Sequence, residues 1–120
     1  MITANFFKES EFQRCVPACS LQDMDQELMN RLDLLREKAG IPLVLNSAYR
    51  SVAHEKKMGR AGTSAHTLRV AVDIRCGTDA NRFKIVKAAI ELGFARIGIA
   101  KTYLHLDIST RHTQEVVWLY

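Results

Sequence analysis

Two short stretches of alternating polarity constrain the fold of this chain more than any other feature. In the first, Val70, Val72 and Ile74 fall on one side of an extended strand, and Asp73 falls on the other. His66 lies in the loop that leads into this strand. A carboxylate in such a place normally requires a partner or a metal ion. The sequence therefore predicts that another polar group meets Asp73 in the folded chain.

The second stretch, residues 103–108, alternates in the same way and supplies that partner. Its polar face carries His105 and Asp107. Residues on the same face of a strand lie ~6.6 Å apart, because each residue advances the strand by ~3.3 Å. If the two strands pair, His66, Asp73 and His105 converge on one point, with Asp107 close by. Two imidazoles and one carboxylate, with a position left for water, form a donor set of the kind that holds a catalytic zinc ion in hydrolases.

Length and composition predict one domain spanning residues 1–120. A chain of 120 residues with 48% hydrophobic and 25% charged residues can bury a single core, and these fractions are ordinary for a soluble globular protein. No stretch approaches the ~18 consecutive apolar residues of a membrane helix, so we expect no membrane insertion. The first residues contain no basic region followed by an apolar run, which predicts a protein made in the cytoplasm without a signal peptide.

The charge pattern bears on possible partners. The net charge of +4 comes from 17 basic residues mixed with 13 acidic ones, and no dense basic patch interleaved with aromatic residues is present. This pattern argues against nucleic acid as a partner. It fits a solvated surface best and leaves room for a weak attraction to an anionic polymer such as a bacterial cell wall. We expect a monomer.

We do not expect the three cysteines of the chain to form a disulfide framework. Their number is odd, and the chain starts without a secretory signal. Cys15 and Cys19 are four residues apart and could in principle bind a metal, but no second pair follows at the spacing of a zinc finger. We interpret Cys15, Cys19 and Cys76 as small buried apolar residues.

The remaining pattern predicts an α+β fold, with a mainly antiparallel sheet packed against two main helices. The first helix begins at Asp23 or Asp25 and ends near Ala39 before Gly40, and the second begins at Thr78 or Asp79 and ends at Gly93. The expected core face of the second helix consists of Phe83, Val86, Ala89 and Ile90. Predicted strands cover residues 43–45, 70–75, 94–99, 103–108 and 116–120, and residues 52–62 are expected to form a flexible connection.

Arg50 is a candidate for substrate binding. It belongs to a polar cluster, residues 46–51, directly after a predicted strand, where functional loops often lie. Its planar guanidinium can hold a carboxylate or a polarised carbonyl with two hydrogen bonds. A structural salt bridge with a nearby acid explains an arginine here equally well, and the sequence does not separate the two.

Four motifs in this order resemble the zinc D-alanyl-D-alanine carboxypeptidase family, particularly its small single-domain and phage-encoded cell-wall peptidases. They are Asn5-Phe6 with Ser10-Glu11-Phe12, the loop Ser47-x-Tyr49-Arg50-Ser51, the motif Ser64-x-His66 with Asp73 seven residues later, and Gly93-Phe94-x-x-Ile97-Gly98-Ile99 followed by His105-x-Asp107. The resemblance implies a hedgehog- or DD-peptidase-like fold. It also implies that His66, Asp73 and His105 bind Zn²⁺ and that Arg50 holds the substrate carbonyl or carboxylate.

Two positions depart from the family pattern. Arg69 stands where the family usually has glycine, which permits a tight turn that a side chain could obstruct. Thr102 stands where relatives with a clear general base carry an acid, and threonine cannot take a proton at neutral pH. Asp107 is the acid available nearby, so we assign it either as the base or as the residue that orients a ligand.

The sequence thus predicts zinc-dependent hydrolysis of peptide bonds in the stem peptides or cross-links of peptidoglycan. Such a protein would act on the cell wall after release from the cell, as an endolysin of a bacteriophage does, or as a virion component. The first alternative, motivated by Arg69 and Thr102, is a catalytically impaired zinc-binding or structural module of the same fold. The second is a metal-free domain whose histidines and aspartates satisfy one another.

Overall fold

The computed structural model describes residues 1–120 and confirms the α+β class. The helices are α1 (Glu9–Gln13), α2 (Gln26–Ala39), α3 (Val52–Lys57) and α4 (Asp79–Glu91), with a short 3-10 turn at Leu21–Asp23. The strands are β1 (Leu45–Ser47), β2 (Ala71–Arg75), β3 (Arg96–Ile99), β4 (Tyr103–Asp107) and β5 (Val116–Leu119). They form one sheet in the order β1-β2-β4-β3-β5, which is antiparallel except where β5 runs parallel to β3.

The two long helices begin and end where their capping residues predict. The side chain of Asp25 accepts a hydrogen bond from the backbone N–H of Leu28 at the start of α2, and Gly40 ends that helix with a left-handed φ of 71°. Thr78 caps α4 in the same way through the N–H of Asn81. None of the helices combines the length and the apolar character that crossing a membrane requires.

The sheet separates an apolar face from a polar one, as the alternation in β2 and β4 predicts. Val72 and Leu106 are register partners, as are Ile74 and Leu104, and all four side chains are buried in the core. Buried residues of α2 and α4 belong to the same core. The opposite face of β2 and β4 is therefore left to the polar side chains of the candidate site.

The predicted core face of α4 is partly wrong. Phe83 and Ile90 are 67% and 57% exposed, whereas the helix buries Ile85, Ala88 and Ala89. Apolar residues occur on more than one side of α4, so the periodicity did not define a single face. Small alanines let the helix approach the core closely, and this contact leaves the larger side chains outside.

Two local predictions also differ from the structure. The strand expected at residues 43–45 lies two residues later, because β1 pairs Leu45 with Ile74 and continues to Ser47 through an irregular step in register. Residues 52–57, expected to be flexible, form helix α3, whose N-terminus is capped by the Ser51 hydroxyl. The serine preceding this segment was the signal for that helix.

Candidate metal centre

The pairing of β2 with β4 places Asp73 directly opposite His105. His66 reaches the same point from the loop before β2. Asp73 Oδ1 lies 3.0 Å from His105 Nδ1 and 3.3 Å from His66 Nε2, and the two nitrogens are 3.2 Å apart. The structure thus brings the three predicted ligand residues into one triangle of donor atoms.

The other nitrogen of each imidazole has its own partner, and these partners fix the tautomers. His66 Nδ1 lies 2.7 Å from the carbonyl oxygen of Ala48, which can only accept a hydrogen bond. His105 Nε2 lies 2.6 Å from Oδ2 of Asp107. Each neutral ring therefore carries its proton on the outer nitrogen and turns a lone pair toward Asp73. Three acceptors that face one another in this way require a cation or an added proton between them.

The dimensions of the triangle suit zinc. Ligand atoms at about 2.0–2.1 Å from a tetrahedral zinc ion lie about 3.3 Å from one another. The observed separations of 3.0–3.3 Å match that spacing without rearrangement. The side chains of His66 and His105 are 2% and 7% exposed and that of Asp73 is 14% exposed, so Asp73 marks the side from which solvent or substrate reaches the centre.

The ionisable groups at the centre stabilise one another's charged forms. Burial alone would raise the pKa of Asp73, but its close interactions with His105 and His66, which favour the charged carboxylate, outweigh burial and hold that pKa well below its usual range. Burial alone would lower the pKa of His105, yet its hydrogen bonds with Asp107 and Asp73 raise it above the ordinary value. The pocket therefore favours positive charge between its carboxylates.

Asp107 lies behind His105 and is fully buried. Its oxygens also accept hydrogen bonds from Arg96 Nε at 2.8 and 3.1 Å and from the backbone N–H of Ser109 at 3.0 Å. Arg96 in turn donates to the carbonyl oxygen of Thr113. Because each carboxylate oxygen of Asp107 is already bonded and shielded from solvent, the geometry suits orientation of His105 better than proton transfer.

Arg50 forms the structural ion pair that was one of the two roles considered for it, and its role toward substrate stays a prediction. Its Nε lies 3.2 Å from Oε2 of Glu55, whose carboxylate is buried and also accepts a hydrogen bond from Ser64. Arg50 nevertheless contributes to the wall of the cleft that contains Asp73. The ion pair therefore fixes the position of a guanidinium that still faces the proposed metal centre.

The two departures from the family pattern have different structural outcomes. Arg69 adopts a left-handed φ of 71°, the conformation for which glycine is best suited. Its side chain stacks on the ring of Tyr49 and donates to the carbonyl oxygen of Asp23, so it points away from the donor triangle. Thr102 is exposed, and its backbone carbonyl accepts a hydrogen bond from Cys76.

A cleft of about 780 Å³ opens in front of the centre. Its wall includes Asp73, Arg50 and Tyr103. Burial and the nearby charge of Asp73 raise the pKa of the Tyr103 phenol. The hydroxyl of Tyr103 therefore remains protonated at neutral pH and can donate a hydrogen bond to a bound molecule.

Aromatic residues of the last strand close the other side of the centre. The ring of Trp118 lies 5.3 Å from that of His105, and Arg96 stacks over the same indole at 4.9 Å. Gly98 makes this packing possible, because a Cβ there would lie only 2.7 Å from the Trp118 ring. The tryptophan therefore packs on both His105 and the arginine that supports Asp107.

The sequence does not predict that Arg96, Glu55 and Trp118 lie at the site. Arg96 is the register partner of Asp107, but nothing in the sequence paired β3 with β4 in that register. Glu55 lies in the segment that was expected to be flexible. For Trp118 the sequence predicts only membership of the last strand. A charged residue within an otherwise apolar strand was the one available signal for Arg96.

The fold and the donor triangle together define a small α+β domain with a potential metal-binding cluster on one face of its sheet. A family model described as Peptidase M15 matches residues 5–108, and the chain belongs to this family. β5 lies beyond the matched residues. No curated protein sequence matches the chain. Among solved structures, the L-Ala D-Glu endopeptidase ChiX of Serratia marcescens has a similar fold, with a TM-score of 0.57, 18% identity, and coverage of 91% of this chain and 92% of that one.

Proposed function

We propose that this protein is a zinc-dependent peptidase that cleaves peptide bonds in the stem peptides or cross-links of peptidoglycan and therefore acts at the bacterial cell wall. The observation that supports this most directly is the convergence of three lone-pair donors from His66, Asp73 and His105 at the spacing of a tetrahedral ion. Membership of a family of zinc-dependent peptidases agrees with it. The similar solved structure is that of an enzyme described as an L-Ala D-Glu endopeptidase, which makes a stem-peptide bond a reasonable target.

In this proposal His66, Asp73 and His105 hold the zinc ion. When bound, zinc lowers the pKa of a coordinated water toward ~7 and polarises the carbonyl of the bond to be cleaved. The exposed side of Asp73 leaves the approach from the cleft open. The buried partners Ala48 and Asp107 keep both imidazoles turned so that their lone pairs face inward.

The residues of the cleft would bind and orient the peptide. Arg50, held by Glu55, offers its guanidinium to a substrate carbonyl or carboxylate and stabilises negative charge as it develops. Tyr103 donates a hydrogen bond from the same wall. We assign Asp107 as the residue that orients His105, because its burial and its bonds to Arg96 and Ser109 leave it no contact with the cleft.

A second candidate function has a specific observation in its favour. The position where relatives carry an acid holds Thr102, and Asp107 is shielded from solvent. A protein of this kind could bind zinc and cell-wall peptides without cleaving them. In that case the chain would serve as a binding or structural module at the cell wall or in a virion.

Hydrolysis of purified stem peptides, followed by chromatography of the products, separates these functions. We expect cleavage by the zinc-loaded protein, loss of cleavage after chelation, recovery after zinc is restored, and no cleavage by His66→Ala. The variant Lys84→Gln, at an exposed position on α4, is a matched surface control that should keep full activity. Stoichiometric zinc without cleavage of any stem peptide would favour the binding module, and full activity after chelation would contradict the zinc mechanism.

A further inference from the structure

The cleft extends beyond the metal centre along the sheet toward β1. Besides Arg50 it is lined by two more arginines, Arg14 from the segment after α1 and Arg75 at the end of β2. Neither Arg14 nor Arg75 forms an ion pair or a side-chain hydrogen bond within the protein, in contrast to Arg50. Two uncommitted guanidinium groups therefore line one concave surface that also contains Asp73.

The cleft carries a net positive charge once a divalent ion occupies the proposed metal centre. Its lining carries two carboxylates, those of Asp73 and Glu11. The charge of Asp73 would be neutralised by a bound divalent ion, and one oxygen of Glu11 already accepts the backbone N–H of Lys8 at 2.7 Å. Since Glu55 offsets Arg50, the charges of Arg14 and Arg75 exceed the single charge of Glu11. Such a cleft attracts an anionic ligand.

The position of Arg75 defines where the anionic group lies. Arg75 follows Asp73 by two residues on the same face of β2 and is the register partner of Tyr103. It is therefore displaced by about 6.6 Å along the strand from the metal ligand. An extended peptide advances by a similar distance in two residues. A carboxylate about two residues from the cleaved bond would therefore lie level with Arg75 along the strand.

We infer that Arg75 and Arg14 form a carboxylate-binding subsite that selects acidic peptides, an inference that rests on the proposed peptidase function. Arg75 binds the carboxylate nearer to the cleaved bond, and Arg14, which lines the same cleft, contributes a second guanidinium. Guanidinium groups are well suited to this role, because their planar donors match a carboxylate with two parallel hydrogen bonds. The subsite accepts either an acidic side chain or a terminal carboxylate, which have the same chemistry.

Calorimetric titration with synthetic stem peptides tests the subsite. The probes are a free-acid peptide and versions in which either the side-chain carboxylate or the terminal one is an amide. With the zinc-loaded protein, we expect Arg75→Gln to weaken binding of the free-acid peptide about fivefold, and Arg14→Gln to weaken it less. Amidation of the recognised carboxylate should weaken wild-type binding by the same factor and should abolish the effect of Arg75→Gln.

The amidated peptide that binds more weakly identifies the recognised carboxylate. The subsite is supported whether that carboxylate is the side-chain one or the terminal one. Lys84→Gln should bind all peptides as the wild type does. Equal binding of free-acid and amidated peptides by the wild type, or unchanged binding by both arginine variants, would overturn the inference. Binding that depends on the carboxylates but is not followed by hydrolysis would refute the peptidase proposal and support the subsite. Hydrolysis with binding that does not depend on the carboxylates would support the peptidase proposal and refute the subsite.

Discussion

The carboxylate of Asp107 connects the proposed metal centre to the sheet that supports it. It accepts hydrogen bonds from His105 on its own strand, from Arg96 on the neighbouring strand and from the backbone of Ser109. All of these contacts are shielded from water, since Asp107 is fully buried. A carboxylate that accepts a hydrogen bond from a metal-binding histidine holds the ring in the correct tautomer and raises its basicity.

Asp107→Asn should therefore weaken zinc binding more than its distance from the ion suggests. We expect zinc affinity to fall about 10–100-fold, as for other changes to the partner of a ligand histidine. Loss of the charge opposite Arg96 should also lower the free energy of unfolding by about 3–5 kcal/mol. Competition with a chromophoric chelator and urea denaturation measure the two effects. The exposed Glu37 provides the control Glu37→Gln, and wild-type zinc affinity in Asp107→Asn would contradict the assigned role.

The raised pKa of His105 gives the metal-free and zinc-bound proteins opposite responses to pH. In the metal-free protein, a folded-state pKa above the ordinary 6.5 contributes stability that is fully present below pH 6.5 and is lost as the pH rises through the raised value. Zinc binding requires a bare Nδ1, so zinc affinity should fall up to about tenfold per pH unit below the same raised pKa. A zinc affinity that does not change between pH 6 and pH 8.5 would contradict this prediction.

At the scale of secondary structure elements, β5 contributes more to the centre than its position at the sheet edge indicates. It lies parallel to β3 and brings Trp118 against His105 and Arg96. Gly98 on β3 faces this indole and has no room for a side chain. The packing of one edge strand is thereby linked to the orientation of a proposed zinc ligand.

Gly98→Ala should disturb this packing. Its Cβ would lie 2.7 Å from the Trp118 ring and 2.8 Å from that of Tyr120, so the aromatic side chains must move. We expect a loss of about 1–3 kcal/mol in unfolding free energy, with a shift in tryptophan emission. Gly77→Ala is the matched control, because nothing lies within 4 Å of the added methyl group and φ there is not left-handed. Equal stability of the two variants would show that Trp118 does not pack as described.

At the scale of the whole molecule, the fold class follows from local sequence patterns, and the family follows from the resemblance carried by four motifs in order. Period-two alternation fixed which faces of β2 and β4 meet the core, and capping residues such as Asp25 and Thr78 located the long helices. The same alternation predicts that Asp73 and His105 share one face of the sheet, and the structure places them as register partners there.

Other features depend on contacts between distant segments, which local patterns do not contain. The ion pair of Arg96 with Asp107 follows from the register of β3 against β4, and the sequence does not specify that register. The buried face of α4 was chosen by close packing of Ala88 and Ala89 and not by the size of Phe83. The shift of β1 follows from its pairing with β2.

The measurement that tests the central claim most directly is zinc X-ray absorption of the purified protein, combined with metal analysis. We predict one zinc ion per chain, with nitrogen and oxygen ligands at about 2.0–2.1 Å. His66→Ala should lose the stoichiometric ion. Failure of the wild-type protein to retain zinc, or sulfur ligands at about 2.3 Å from Cys15 and Cys19, would contradict a centre built from His66, Asp73 and His105.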